Sequence, residues 1–337
     1  MSPFFSIIIP AYNIEKYISY AITSVINQNF QDFELIIIND CSIDNTLTII
    51  EDFAKKNDRI KIINQSTNYT QHIARMDGLS IAKGKFIMFL DGDDTFTENA
   101  FNILYTFINN NPDYDYYEFS YRFIPSLSVS FPYQDNENRF LKFFDLINYP
   151  NHTIWNKVYR SELIKRAFFF MKRTRINQGV EDFYESVVIA YYSKNITTLN
   201  NIIINYSYGI GITNTYKSYE KVIEWLDSVN FMLDLVKEFL QNNNQKIEFN
   251  RIYLRYLDYV IIYYIYTQKS DVDKLRLIHI LPNYFKVEII MEYLNQKNIS
   301  FFDLNHKYNS IYNSNEYKLG KLLLKPLRKL KNFIIKI

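Results

Sequence analysis

A chain of 337 residues, 48% of them hydrophobic, has material for one large core or two moderate ones and falls in the globular class. Its 38 basic and 36 acidic side chains leave a formal charge of only +2, so the total gives no argument for nucleic acid as a partner. The single cysteine, Cys41, closes no internal disulfide, which fits a reducing compartment. The opening residues lack the basic and long apolar regions of a secretion signal, and no run of about 18 apolar residues predicts a membrane-spanning helix.

In chain order, Phe4 to Ile9 is an apolar run stopped by Pro10, the pattern of a buried parallel strand. Apolar positions at Tyr17, Ile18, Ala21, Ile22, Val25 and Ile26 predict a helix over Glu15 to Gln28. A second strand spans Phe33 to Ile38 and ends in Asn39-Asp40-Cys41-Ser42. A helix follows over Thr46 to Lys56, with Asp44 or Asn45 placed to cap it. Arg59 to Asn64 is a third strand, Tyr69 to Ala82 a third helix and Phe86 to Leu90 a fourth strand. This alternation predicts an α/β fold with an open, mainly parallel sheet flanked by helices, whose ligands sit outside the carboxyl ends of the strands. Neither GxGxxG after the first strand nor GxxxxGK[ST] anywhere is present, so a dinucleotide fold and a P-loop are both unsupported.

The fourth strand ends in Asp91-Gly92-Asp93-Asp94. Carboxylates crowded at the end of an interior strand repel one another and lose hydration, which favours a positive charge held between them. With Gly92 allowing a tight bend, Asp91 and Asp93 can turn toward one point, and hard oxygen ligands of this kind suit Mg2+ or Mn2+. The structural alternative is an acidic turn that caps a following helix from Thr95 or Thr97.

Phe101 to Asn109 predicts a helix, 113–135 an extended aromatic stretch, Phe140 to Ile147 a short helix and Glu162 to Ala167 another. Gly179-Val180-Glu181-Asp182-Phe183 opens a helix running to Tyr192, where the dipole favours its acidic pair. Beyond 216 the pattern turns to amphipathic helices: one with Val222, Trp225, Leu226, Val229, Leu233, Val236, Phe239 and Leu240 on one face, one over Phe249 to Thr267, and shorter ones near Leu275 and Glu288. From Lys318 to Ile337 apolar residues at helical spacing are joined by positive charge alone, a composition that favours the surface of an anionic membrane. His72 reads as a packed or solvated side chain, and His152, His279 and His306 show no metal spacing.

SIIIPAYN at 6–13, FELIIINDCSIDNT at 33–46, ARMDGLSIAKGKFIMFLDGDD at 74–94 and GVEDF at 179–183 together resemble the family 2 inverting glycosyltransferases of the GT-A fold. The likeness covers roughly the first 215 residues, and four blocks in order are far more specific than one. It implies a GT-A domain over 1–215, with a nucleotide-binding half at 1–100 and an acceptor half at 101–215, followed by a helical region at 216–317 and the basic tail at 318–337.

By position, the resemblance implies that Pro10, Ala11 and Tyr12 grip the nucleotide, Tyr12 flanking the base, and that Asp40 receives a uracil N–H. Asn68 and Arg75 would line the nucleotide and diphosphate. Asp91 would lie near ribose and metal, and Asp93 would ligate Mn2+ or Mg2+ directly. Asp182 would be the catalytic base, with Glu181 beside it, and Trp155, Asn156 and Lys157 would face the acceptor. The implied activity moves a sugar from a nucleotide-sugar, a UDP-sugar by Asp40, to a hydroxyl of a growing cell-surface glycan or lipid-linked glycan. The implied location is cytoplasmic, peripheral on the inner membrane face. Cys41 stands where the family commonly has glycine, Met76 where asparagine is common, and Tyr206 to Thr213 where many relatives carry Arg and His. A catalytically inactive glycan-binding or assembly subunit, and a nucleotidyltransferase, are the competing readings. The intact Asp40, Asp91, Asp93 and Asp182 oppose the first, and the missing glycine-rich loop opposes the second.

Overall fold

Four apolar runs form the strands that their composition predicts. In the computed structural model, which describes residues 2–132, 152–176, 179–207 and 219–245, β1 (Phe5–Ala11), β2 (Phe33–Asn39), β3 (Ile60–Asn64) and β4 (Phe86–Phe89) lie in the order β3-β2-β1-β4, all parallel. Both faces of β2 and β4 are buried, so their sequences are nearly continuous apolar runs with no alternation. The intervening helices are α1 (Ile18–Ile26), α2 (Thr46–Ala54) and α3 (Thr70–Ile81). α1 buries Ile18, Ala21, Ile22 and Val25 as its periodicity requires, but starts three residues later than predicted because a turn closes first, from Tyr17 N–H to the Ile14 carbonyl at 2.9 Å. α3 lies close on the sheet through Gly78, where a Cβ would meet Ile8 Cγ2 at 2.6 Å and Ile38 Cδ1 at 2.9 Å.

Past β4 the sheet is mixed. After β5 (Thr95–Phe96) and α4 (Ala100–Asn110) come β6 (Tyr116–Ile124), β7 (Val129–Ser130), β8 (Lys157–Arg160), α5 (Ser161–Phe170), α6 (Glu181–Tyr192) and β9 (Ile196–Ser207). The order continues β4-β8-β6-β9-β5, with β8 antiparallel to both neighbours, β9 parallel to β6 and antiparallel to β5, and β7 paired on β6. The predicted parallel arrangement therefore holds for the first four strands, and the remainder of the sheet joins both directions. The twelve-residue β9 has no clear pattern in the sequence, because Asn200 and Asn201 interrupt its alternation. Those two residues fall where Phe119 pairs with Leu199 but the next residue, Ser120, pairs with Ile202, a bulge in the ladder.

The aromatic excess is largely core. Phe4, Phe5, Phe30 and Phe101 pack at ring separations of 4.7–5.9 Å, mostly edge-on, under β1. At the amino ends of the strands the buried Glu34 carboxylate accepts from Ser6 Oγ at 2.6 Å, Lys61 Nζ at 2.5 Å and the Lys83 amide at 2.6 Å. These bonds outweigh its burial and hold its carboxyl below the usual range.

By compactness the chain divides into one unit of residues 1–143, 147–214 and 231–245 and another of 144–146, 215–230 and 246–337. The strands and helices through β9 belong to the first. Within α7 (Tyr219–Asn242), every apolar residue expected on the inner face is buried. The helices predicted at 140–147, at 249–267 and near Leu275 and Glu288, the segment 208–213 and the basic tail at 318–337 lie outside the described residues.

Candidate active site

Adjacent parallel strands end level with one another, so the polar residues that follow them meet. Ala11 pairs with Asn39, and the Asp40 amide donates to the Ala11 carbonyl at 2.8 Å. The loops after β1 and β2 are then laced together: Ser42 Oγ accepts from the Asn13 amide (3.1 Å), Asn13 Oδ1 from the Ile43 amide (2.9 Å), and Thr46 Oγ1 from the Ile14 amide (2.9 Å). The N-cap of α2 is Asn45, whose side chain makes no cap bond, and Asp44 just before it accepts from the Thr46 amide through Oδ1 at 3.0 Å. At the end of β1, Ala11 is buried and Pro10 half-buried, so the strand runs past the proline expected to stop it, and Tyr12 in the loop beyond is 38% exposed.

Asp40 is 2% exposed, and its two oxygens accept from the amides of Tyr69 (2.6 Å) and Thr70 (2.9 Å) at the start of α3. Burial raises its carboxyl nonetheless, against the pull of those two bonds. Each oxygen keeps a second lone pair for another donor. Asn68 stands half-buried just before this helix start. Cys41 has φ 62°, a left-handed conformation that favours glycine, so the family's glycine at this position has a conformational reason and the cysteine carries strain.

Arg75, on α3, is the hub. It is 1% exposed, and its Nη1 donates at 2.7 Å both to Asp182 Oδ1 and to Glu185 Oε2, on the first turns of α6. Its Nη2 stands 3.6 Å from Asp91 Oδ1, which also accepts from Gln71 Nε2 at 2.6 Å. One guanidinium therefore joins the acidic end of β4 to the acidic pair more than 80 residues away in sequence. Burial raises the Asp182 carboxyl while Arg75 opposes it. Asp182 retains 20% side-chain exposure, open enough for a reacting group. Glu181 is turned away: its Oε2 accepts from the amides of Gly179 (2.7 Å) and Val180 (3.0 Å), and burial with the neighbouring Asp182 pushes it up to about 8.

The acidic turn does not cap a helix. Asp94 leads directly into β5, and the residue before α4 is Asn99. Ser207, the last residue of β9, donates from its amide to Asp94 Oδ1 (2.8 Å) and from its hydroxyl to the Asp93 carbonyl (2.6 Å). A Cβ at Gly92 would lie 2.1 Å from Ile14 Cδ1, the far end of a flexible side chain on the loop after β1. Burial drives Asp91 up to about 7, with Arg75 opposing and Asp93 and Asp182 adding to the rise. Asp94 is also raised, and its buried Oδ2 has no hydrogen-bond partner. This accumulation of carboxylate is what a divalent cation relieves, so the donor set fits Mg2+ or Mn2+. Among the described residues no three His, Cys, Asp or Glu side chains are grouped to hold a metal by themselves, and Asp91 and Asp93 would need further oxygens such as those of a diphosphate.

The residues expected on the acceptor side are largely interior. Trp155 is 5% exposed and stacks on Tyr206 at 4.9 Å, with planes 2° apart. Asn156 and Lys157 are buried, Lys157 Nζ donating to Asn156 Oδ1 at 2.8 Å and to the Thr153 carbonyl. Three site residues escape a reading by motif: Glu185, His72 and Ser207. Glu185 lies three residues after Asp182 and His72 three before Arg75, each on its partner's helical face, and that spacing was the only available signal.

Residues 6–170 match the family described as Glycosyl transferase family 2. Uncharacterized glycosyltransferase EpsJ of Bacillus subtilis (strain 168) is 34% identical over 176 residues, 50% of this chain and 51% of EpsJ, so the chain spans about half the length of that relative. Minor teichoic acid biosynthesis protein GgaA of the same organism is 45% identical over 111 residues, 31% of this chain and 24% of GgaA. The crystal structure of S. aureus TarS 1-349 in complex with UDP-GlcNAc superposes with a TM-score of 0.62 at 20% identity, covering 86% of this chain and 83% of that one, a likeness of fold. The four-block pattern, the sheet with its acidic strand end and these likenesses agree, and through residues 6–170 the chain belongs to glycosyl transferase family 2, with a GT-A fold.

Proposed function

We propose that this chain is a metal-dependent inverting glycosyltransferase that moves a sugar from a nucleoside diphosphate to a hydroxyl of a cell-surface glycan. The observation that carries the reading is the Arg75 bridge, 2.7 Å from Asp182 and 3.6 Å from Asp91, which joins a candidate base to a candidate donor site. In the reaction the acceptor oxygen forms a bond to the anomeric carbon as the bond to the diphosphate breaks, and the acceptor's proton passes to Asp182. Arg75 occupies Asp182 Oδ1, leaving the other lone pairs of that carboxylate for the proton. Burial that raises Asp182 makes it a stronger base, while Arg75 keeps it ionised. Arg75 Nη2 lies on the side of Asp91 and stabilises charge on the leaving diphosphate. Asp91 and Asp93 would hold a divalent ion, which when bound neutralises that diphosphate. Glu181 holds the turn before Asp182 by accepting from the Gly179 and Val180 amides.

Tyr12, Asp40 and Asn68 form the nucleotide end, and the TarS complex makes UDP-GlcNAc the first donor to try. GgaA, a teichoic acid biosynthesis protein, supports a teichoic-type acceptor. Trp155 acts on the acceptor side by packing under Tyr206, with Asn156 and Lys157 behind it. Among the described residues no helix is long and apolar enough to cross a membrane. The tail at 318–337 would bind the anionic inner surface, and deleting it should shift the protein from the membrane pellet to the supernatant.

The test is thermal stabilisation by UDP-, GDP-, CDP- and dTDP-sugars with and without Mn2+. A ligand that binds only the folded state at about 100 times its Kd adds about 2.7 kcal/mol. The reading expects a shift with one nucleotide class that needs metal and is lost in Asp93→Ala. Absence of any shift in the wild type would favour the assembly-subunit reading.

A further inference from the structure

Behind the proposed site lies a pair of buried groups that the proposed chemistry does not use. His72 and Glu185 are both 0% exposed. His72 Nδ1 lies 2.7 Å from Glu185 Oε1, and His72 Nε2 lies 3.1 Å from the Lys172 carbonyl oxygen. A carbonyl oxygen only accepts, so Nε2 carries a hydrogen. The second Glu185 oxygen accepts from Arg75 Nη1 at 2.7 Å. Burial by itself would raise Glu185, but Arg75 and the bond from His72 hold its carboxyl below the ordinary 4.5. Glu185 is thus an anion that only accepts, and Nδ1 must donate to it. A ring donating from both nitrogens is an imidazolium.

We propose that the His72 imidazolium and the Glu185 carboxylate form a positioning pair for Arg75. Glu185 and Asp182 share the hydrogens of Nη1 and so fix the guanidinium plane, which directs Nη2 toward Asp91. His72 supplies the charge that balances Glu185. The charge of Arg75 then remains for Asp91, Asp182 and the leaving diphosphate. The rings of Phe168 (6.1 Å) and Tyr184 (5.9 Å) stand against His72, and the Lys172 carbonyl closes its far side. The last consequence, for diphosphate, rests on the transferase reading; the charge state and the fixing of Arg75 do not.

Glu185→Gln separates geometry from charge. Its amide oxygen can still accept from Arg75 and its amide nitrogen can donate to a neutral His72, so both positions survive while one negative and one positive charge leave together. Glu185→Ala removes the hold on Arg75. The experiment labels histidine and arginine with 15N in the full chain, where only four histidines compete for assignment. The wild type should show His72 with both ring nitrogens protonated, and Glu185→Gln should show a single Nε2–H. The Arg75 Nη1 hydrogens should be protected from exchange in the wild type and in Glu185→Gln, and unprotected in Glu185→Ala. Release of nucleoside diphosphate should fall about tenfold or more in kcat for Glu185→Ala and stay within about threefold of wild type for Glu185→Gln.

A neutral His72 in the wild type overturns the ion pair. Unchanged Arg75 protection in Glu185→Ala, or Glu185→Gln as impaired as Glu185→Ala, overturns the positioning role. If the two resonances behave as expected but the wild type releases no nucleotide, the pair stands and the transferase reading fails.

Discussion

Replacing Arg75 with methionine keeps the length and apolar stem of the side chain but removes a cation that reaches Asp182, Glu185 and Asp91 together. The residue is 1% exposed, so solvent cannot substitute for the lost partner. Breaking a buried pair by removing one member costs about 3–5 kcal/mol, because the remaining charge is left uncompensated. Three carboxylates are left here, and they can lower the cost by taking up protons. The folded-state pKa of such a group is then raised above its unfolded value, so the folded state binds more protons and stability falls as pH rises. Arg75→Met should therefore lose about 3–5 kcal/mol at pH 8, or about 6–20 °C in Tm for a folded unit of this size, and distinctly less near pH 5. Urea unfolding of both proteins at the two pH values, in a chelator, measures this directly. A loss below about 1 kcal/mol, or one that does not change with pH, would refute the claim that the charge of Arg75 joins these carboxylates.

Further predictions concern the scaffold. Gly78→Ala places a methyl 2.6 Å from Ile8 Cγ2 and should destabilise by about 1–3 kcal/mol in denaturant unfolding, since the α3 backbone must lift from the sheet. At Cys41, with φ 62°, glycine should be neutral or stabilise by up to about 1 kcal/mol, whereas valine should destabilise by about 1–2 kcal/mol; thermal melts of the two variants check the order. Glu34 has a carboxyl held below its unfolded value, so its contribution is present above that value and lost as pH falls through the folded one. Glu34→Gln should cost about 1–2 kcal/mol at neutral pH and almost nothing in strong acid, read from stability across an acid series.

The first half of the fold was legible because its strands are buried on both faces. A strand such as Leu35 to Ile38 is a continuous apolar run with a polar end, and the polar ends mark where ligands gather. β8 and β9 were not legible, since Lys157 and Asn156 are buried polar residues paired with each other, and Asn200-Asn201 hides the alternation of β9 inside a bulge. At the site, Asp91, Asp93 and Asp182 stood out by motif, and Arg75 joins Asp91 to Asp182. Glu185 and His72 did not stand out, because a residue that acts through another carries no motif of its own. Gly92 was read as allowing a bend, whereas its φ is not positive and its nearest neighbour is the Ile14 side chain, which only the packing of the loop after β1 reveals.

The central claim is a single displacement at the anomeric carbon assisted by Asp182. Slow hydrolysis of UDP-GlcNAc, with water in place of the acceptor, tests it without knowledge of the glycan. Proton NMR of the released sugar, recorded before mutarotation, should show the anomer opposite to that of the donor, formed by the wild type and strongly reduced in Asp182→Asn. Release of the same anomer as the donor, or undiminished hydrolysis in Asp182→Asn, would contradict the account.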